Sequence, residues 1–113
     1  ENCRGVSFKG HFFVARKDSL AGYSHGGALA LLCHGYVWQT RPELRGLCQG
    51  FGFGTPRVLW GKPSEKTERI WENFTVIRNV NDAVTHLPPK SFGYFHAGKL
   101  IEIGRTGKYG TFE

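Results

Sequence analysis

The stretch LAGYSHGGALALL, residues 20–32, places a serine between two glycines and continues into small and apolar residues. Two interpretations are open. The stretch is either a solvent-exposed turn leading into an ordinary helix, or a strand–turn–helix bend that presents the hydroxyl of Ser24 as a nucleophile. Gly22, Ser24 and Gly26 fit the G-x-S-x-G pattern, in which larger flanking side chains would collide across the turn. The spacing therefore favours the nucleophile.

The backbone amide that follows Ser24 is the second feature of this bend. If a strand ends at residues 20–21 and a helix starts at Gly26, the N–H of His25 lies at the helix N-terminus. The unpaired amides and the helix dipole favour an anion at that point. Acyl transfer passes through a transition state with a developing oxyanion. We therefore predict that the backbone N–H of His25 is an oxyanion donor.

Strands and helices alternate along the chain. Residues 12–21 predict a strand that ends near Leu20, and residues 26–40 predict a helix, because Pro42 disfavours helical backbone at the residue before it. The apolar residues that recur at helical spacing in this helix are Leu29, Leu32, Cys33, Tyr36 and Val37.

The second half of the chain continues this alternation. It predicts strands over residues 47–53, 74–80 and 99–104, a helix capped by Ser64, and an irregular connection over residues 85–98. Alternating strands and helices favour an α/β layer with a parallel core. The length, 113 residues, predicts a single domain over residues 1–113.

Composition narrows the class of protein. The net charge is +6, but the fifteen Lys and Arg are scattered, so we expect no nucleic-acid partner. The apolar runs are too short for a transmembrane segment. The odd number of cysteines, three, favours a reducing, cytoplasmic compartment over a disulfide scaffold. The histidines are not grouped as a metal site, so neither a metal nor an organic cofactor is expected.

Three motifs occur in order: GYSHGGALA at residues 22–30, GFGTPRV at 52–58 and NVNDAVTHLPP at 79–89. Together they resemble the class 3 lipase family of the α/β-hydrolase superfamily, and the resemblance covers residues 20–104. It implies a reduced α/β-hydrolase-like core, with a mostly parallel sheet and flanking helices. It also implies Ser24 as nucleophile, Asp82 as the acid that orients a histidine, and an acyl ester or lipid as substrate. The alternative for Asp82 is an Asx-turn before the Pro-Pro bend.

The histidine of this triad is the open position. α/β-Hydrolases carry Ser, Asp and His in that chain order. After Asp82 the sequence has His86 and His96, whereas the family's histidine lies beyond the last strand, where residues 105–113 contain none. Three alternatives follow: His96 takes the role, the chain stops before its base, or another chain supplies one. Within the chain, order favours His96 as the catalytic partner of Asp82.

The short N-terminal side leaves the function with two candidates. Only 23 residues precede Ser24, so the chain resembles a truncated or internally deleted member of the family. A sheet that lacks some of the elements that normally cover its faces would expose apolar surface. We therefore predict a homo-oligomer. The chain is either a serine ester hydrolase or a catalytically impaired fragment that acts as a binding or assembly module. The aromatic residues that line an acyl site or form the core are Phe12, Phe13, Trp38, Trp60, Phe92, Tyr94 and Phe95.

Overall fold

The computed structural model describes residues 4–8, 11–15, 19–104 and 107–112, with side chains described from Ser19 onward. The strands are β1 (Arg4–Phe8), β2 (His11–Ala15), β3 (Ser19–Tyr23), β4 (Gln49–Phe53), β5 (Leu59–Trp60), β6 (Phe74–Asn79), β7 (Tyr94–Phe95), β8 (Lys99–Ile103) and β9 (Tyr109–Thr111). The helices are α1 (His25–Thr40) and α2 (Glu65–Ile70), and short 3-10 turns cover Pro42–Leu44, Val84–His86 and Lys90–Phe92.

One sheet organises the fold, in the strand order β1-β2-β3-β4-β6-β8-β9. Its four central strands, β3, β4, β6 and β8, are parallel to one another. Strands β1 and β2 at one edge and β9 at the other are antiparallel. Strands β5 and β7 form a separate antiparallel pair. The predicted α/β class with a parallel core and flanking helices is confirmed.

The strand register brings the ends of the central strands to one edge of the sheet. Tyr23 pairs with Phe53, and Asn79 pairs with Ile103, so the last residues of β3 and β4, and of β6 and β8, lie side by side. Residues that follow these strands therefore emerge at the same carboxyl edge. In open α/β sheets this is the edge where ligands bind.

The element boundaries agree with the sequence except near the N-terminus. The single strand predicted over residues 12–21 is two strands, β2 and β3, and residues 16–18 lie outside the described part of the chain. Strand β3 runs on to Tyr23 because it pairs with β4 along its whole length. The predicted helix cap is confirmed: Ser64 Oγ accepts a hydrogen bond from the backbone N–H of Thr67 at 3.3 Å.

The apolar face predicted for α1 is wrong. Leu29 is 51% exposed, Leu32 48% and Tyr36 69%, while Cys33 and Val37 are half-buried. The face that packs on the sheet carries small residues instead, and its buried members are Gly26, Gly27, Ala30, Leu31, His34 and Gly35. Small side chains let the helix axis approach the sheet closely, so size rather than hydropathy selects the buried face.

The core lies between α1, α2 and the central strands. Its buried apolar side chains are Leu20, Ala30, Leu31, Ile70, Trp71, Phe74, Val76 and Ala97. The indole N–H of Trp71 donates to the carbonyl of Leu31 at 2.8 Å and ties the end of α2 to α1. Cys33 packs against this core as a free thiol, and burial raises its pKa. The cytoplasmic location inferred from the cysteine count stays a prediction.

Candidate active site

Ser24 occupies a strained turn between β3 and α1. Its φ of 56° and ψ of −117° lie in a region that favours glycine, and among the described residues it is the only non-glycine residue with positive φ. Such backbone costs on the order of 1–3 kcal/mol and persists only where the surroundings impose it. A sharp bend of this kind lifts the serine above the sheet edge.

The absence of a side chain at Gly22 makes the turn possible. A β-carbon on Gly22 would overlap the backbone of Gly26, so the strand and the first turn of α1 are in direct contact. The carbonyl of Ser24 accepts hydrogen bonds from the N–H groups of Gly27 at 2.9 Å and Ala28 at 3.2 Å, which start the helix. The bend predicted for Gly22, Ser24 and Gly26 is present.

Helix α1 begins at His25, directly after the serine. Its N–H is the first amide of a sixteen-residue helix, at the end where the peptide dipoles create positive potential. An anion near Ser24 would therefore be stabilised at this helix end.

Strand β4 fixes the serine from the other side. The backbone N–H of Ser24 donates to the carbonyl of Phe53 at 2.7 Å, one step beyond the Tyr23–Phe53 pair. The next residue, Gly54, donates its N–H to the carbonyl of Ile77 in β6 at 2.8 Å. Main-chain bonds therefore connect the serine turn to β4 and β4 to β6.

Asp82 lies three residues beyond β6 and is half-buried. Its Oδ1 accepts the backbone N–H of Val84 at 2.9 Å, so the Asx-turn given above as the alternative for Asp82 is present. Its Oδ2 occupies the space beside Gly54, where a β-carbon would lie only 2.5 Å away. The carboxylate is thus fixed by one oxygen and directed toward the β4 end by the other.

An open groove of about 500 Å³ runs along this edge. Its lining residues are Tyr23, Phe53, Gly54, Ile77, Arg78, Asn79, Asn81, Asp82 and Ile103. Ser24 does not line it, but its neighbour Tyr23 does. The groove combines apolar walls with a carboxylate, two amides and a guanidinium, a composition typical of small-molecule sites.

His96 is held away from the carboxylate. Its Nε2 bonds to the carbonyl of Thr85 at 2.8 Å, and its ring packs edge-on against Phe112. Its buried Nδ1 has no hydrogen-bond partner within the described residues. Burial, and then the charges of Arg57, Arg78 and His86, lower the pKa of His96 to about 4 despite the opposing bond to Thr85. In this arrangement the structure does not join His96 to Asp82.

The other histidines whose side chains the structure describes fall into two groups. His25 and His86 are exposed, the first beside Ser24 and the second four residues after Asp82. His34 is 4% exposed in the core, and burial lowers its pKa. A base that works near neutral pH needs access to the serine and a pKa in that range. Exposure therefore favours His25 or His86 over His34.

The described aromatic residues that were candidates for an acyl site or the core lie outside the groove. Trp38 is covered by the guanidinium of Arg45, 3.7 Å from the ring centroid. Trp60, Tyr94 and Phe95 belong to the β5–β7 pair, and Phe92 to the turn before it. None of these lines the groove, whose aromatic walls are Tyr23 and Phe53. The side chains of Phe12 and Phe13 lie outside the described part of the structure.

Sequence reasoning missed two residues of the GFGTPRV motif, Gly54 and Arg57. Arg57 is 6% exposed, and its Nη1 donates to the carbonyls of His86 at 2.8 Å and Pro88 at 3.0 Å. Its backbone N–H also donates to Leu87 at 2.7 Å. The sequence signal that could have identified Arg57 is that it is the one charged residue in a motif of small and apolar residues.

Metal ligation and membrane insertion are the other classes of site that a chain of this kind could carry. Among the described residues, no cluster of three or more His, Cys, Asp or Glu side chains could hold a metal ion. Helices long and apolar enough to cross a bilayer do not occur in that part of the chain.

A second cavity, of about 250 Å³, lies at the amino ends of β4 and β6 between α1 and α2.

Comparison with known proteins finds similarity to lipases. The model of the family "Lipase (class 3)" matches residues 16–92. A lipase of Rhizomucor miehei is 39% identical over 93 residues, covering 77% of this chain and 24% of the relative. A secreted mono- and diacylglycerol lipase of Malassezia globosa is 32% identical, covering 78% and 29%. The chain therefore spans about a quarter of the length of these curated relatives.

Solved structures agree on the fold. A lipase from Rhizopus microsporus var. chinensis superposes with a TM-score of 0.62 at 28% identity, covering 78% of this chain and 30% of that one. Lipase II from Rhizopus niveus gives a TM-score of 0.65 at 25% identity, covering 94% and 52%. These neighbours have the sheet and helix arrangement described above.

Proposed function

Because the chain belongs to the class 3 lipase family, we propose that it carries the nucleophile and acid of a serine ester hydrolase that cleaves acyl esters. Ser24 is the proposed nucleophile, Asp82 the proposed acid, and the backbone N–H of His25 the proposed oxyanion donor. The substrate class rests on the names of the relatives, both of which are lipases.

One observation carries this proposal: the strained backbone of Ser24 at the carboxyl end of β3. A surface turn with no function would relax to an ordinary conformation or carry glycine at that position. The same sheet edge holds the carboxylate of Asp82 on the far side of β4. The strand order therefore places the strained turn of Ser24 and the carboxylate of Asp82 at the same edge of the sheet.

The proposed chemistry follows the usual course of acyl transfer. Ser24 Oγ attacks the ester carbonyl and gives its proton to a base, and the carbonyl oxygen becomes an oxyanion near the N–H of His25. Collapse of this intermediate expels the alcohol, which takes the proton from the base. Water then cleaves the acyl–serine bond by the reverse proton path. Asp82 orients the base and stabilises its cationic form.

The base is the role with competing candidates. His96 could serve only after leaving the carbonyl of Thr85 and the ring of Phe112. His25 follows Ser24 directly, His86 follows Asp82 by four residues, and both are exposed. A neighbouring subunit is a further source. Comparing His96→Gln with Ser24→Ala decides the first candidate, because triad members fail as a unit.

A fluorophosphonate probe tests the proposal directly. The expected result is a covalent adduct on Ser24, located by mass spectrometry, that disappears in Ser24→Ala while the circular dichroism spectrum is unchanged. Competition by a short-chain ester should slow the labelling. Folded chain that stays unlabelled would refute an activated nucleophile.

A catalytically impaired binding or assembly module is the second candidate. It is favoured by the position of His96, whose ring is held by Thr85 rather than Asp82. Under this alternative the chain binds an ester or lipid in the groove without hydrolysing it. The same probe experiment separates the two, because binding alone forms no adduct with Ser24.

A further inference from the structure

We propose that Arg57 is a positioning residue that sets Asp82 in register with Ser24, and this inference rests on the proposed function. The residues that connect the two groups are 53–57, here named the bridge segment. The first residues of the bridge segment contact Ser24 and Asp82, and its last residue, Arg57, is hydrogen-bonded to the segment that carries Asp82.

At its first end, the bridge segment contacts both functional groups. The carbonyl of Phe53 accepts the N–H of Ser24 at 2.7 Å. The α-carbon of Gly54 lies beside Oδ2 of Asp82, and the φ of Gly54 is +63°. Serine and carboxylate therefore touch consecutive residues of one strand end.

At the other end of the bridge segment, Arg57 is hydrogen-bonded to residues 82–88, here named the acid segment. Its Nη1 donates to the carbonyls of His86 and Pro88, at 2.8 and 3.0 Å, and its N–H donates to Leu87 at 2.7 Å. These three bonds reach three consecutive residues. A planar guanidinium can hold two carbonyls at once in a fixed geometry.

The acid segment transmits this attachment to Asp82. The N–H of Leu87 donates to the carbonyl of Val84 at 3.0 Å, and the N–H of Val84 donates to Oδ1 of Asp82 at 2.9 Å. The hydroxyl of Thr85 donates to the Asp82 carbonyl at 3.0 Å. Displacement of residues 86–88 would therefore move the turn that fixes the carboxylate.

Burying the charge of Arg57 costs desolvation free energy, so stability alone does not explain an arginine at this position. Its side chain is 6% exposed, and a buried guanidinium remains charged because its pKa is too high to release the proton. Desolvating a charge is unfavourable unless hydrogen bonds compensate it. Arg57 directs two such bonds from one nitrogen to the acid segment, which is the arrangement expected of a group that fixes a loop.

Kinetics and hydrogen exchange test the inference together. In Arg57→Ala we expect kcat to fall by about 10- to 100-fold with KM unchanged, because a small misplacement of a catalytic group costs rate rather than binding. The acid limb of the pH profile should move to lower pH, because a displaced carboxylate no longer raises the pKa of the base. Millimolar guanidinium should restore part of the lost kcat.

Matched variants keep the outcome interpretable. Arg57→Lys retains the charge and should recover part of the rate, while Arg41→Ala removes an exposed arginine paired with Glu43 and should change nothing. Amide exchange at Val84, whose N–H is bonded to Asp82, should accelerate in Arg57→Ala and stay normal in Arg41→Ala. Amide exchange can be measured without enzymatic activity. If Arg57→Ala does not fold, the same measurements are made on Arg57→Lys.

The outcomes separate the two proposals. If wild type is unlabelled at Ser24, the proposed function fails, and Val84 exchange alone then decides whether Arg57 fixes the acid segment. If wild type is labelled and Arg57→Ala is labelled at the same rate with normal Val84 exchange, the positioning role is overturned. Slower labelling with faster Val84 exchange supports it.

Discussion

The carboxylate of Asp82 fills the space where Gly54 would carry a side chain, although the two residues are 28 positions apart. A β-carbon at Gly54 would lie 2.5 Å from Oδ2 of Asp82, and the φ of +63° independently favours glycine. The acid and the end of β4 therefore fit together only when no side chain intervenes. This contact makes Gly54 part of the site without giving it any reactive atom.

Gly54→Ala should displace Asp82 and slow Ser24 labelling by about 10-fold or more, since misplacing a catalytic group costs rate. Gly46→Ala is the matched control, because Gly46 also has positive φ, +82°, but a β-carbon there would meet nothing within 4 Å. Both variants should lose about 1 kcal/mol of unfolding free energy from backbone strain. Equal labelling rates in the two variants would contradict a role for the Gly54–Asp82 contact.

The strain at Ser24 predicts a stability gain when the side chain is removed. Ser24→Gly should unfold with a free energy about 1 kcal/mol higher than Ser24→Ala, because glycine adopts φ 56° and ψ −117° without a steric penalty. Both variants lack the hydroxyl and should be inactive. Urea denaturation of the pair measures the difference. A Ser24→Gly chain less stable than Ser24→Ala would mean that the turn carries no strain.

The half-buried His96 predicts a loss of stability in acid. Its pKa is lowered from 6.5 to about 4 in the folded chain, so the unfolded chain binds the proton more tightly. Its contribution is therefore complete above pH 6.5 and is lost as the pH falls toward 4, with a total on the order of 3 kcal/mol. Denaturation of wild type and His96→Gln across this range measures it.

His96→Gln keeps a donor for the Thr85 carbonyl but does not titrate, so its stability should depend less on pH. His25→Gln is the control, because His25 is exposed and its charge is not among those that lower the pKa of His96. The same dependence on pH in all three proteins would show that His96 is not the responsible group.

The outer face of α1 predicts self-association. Leu29, Leu32 and Tyr36 are about half exposed or more and lie on one side of the helix. Contiguous exposed apolar surface is a feature of protein–protein interaction sites. Light scattering at micromolar concentration should give a mass above that of one chain. Replacing Leu29 and Leu32 by glutamine should lower that mass with no change in circular dichroism, whereas a single-chain mass for wild type would end the homo-oligomer prediction.

Local signals in the sequence were enough for the outline of the fold. Pro42 marks the end of α1 closely, because proline disfavours helical backbone at the residue before it. The capping serine, Ser64, is likewise a local signal. The position of Asp82 after a strand followed from the strand predicted over residues 74–80, and its candidacy as the acid followed from the family resemblance.

Long-range packing was not predictable in the same way. The buried face of α1 was missed because hydropathy ranks Leu29 above Gly27, whereas close contact with the sheet requires the smaller residue. The contacts of Arg57 with residues 86–88 join positions about 30 apart, and no periodicity encodes them. His96 was selected by chain order, which carries no information about its bond to Thr85.

Arg57 holds the acid segment through main-chain carbonyls, and every residue type supplies a carbonyl. The exposed side chains of His86 and Leu87 are therefore not needed for the attachment. Substitutions there can change the exposed side chains of the acid segment while the carboxylate keeps its place. For directed evolution, a library randomised at positions 86 and 87 should keep the position of the Asp82 carboxylate in a high fraction of its members, and one randomised at 57 should not.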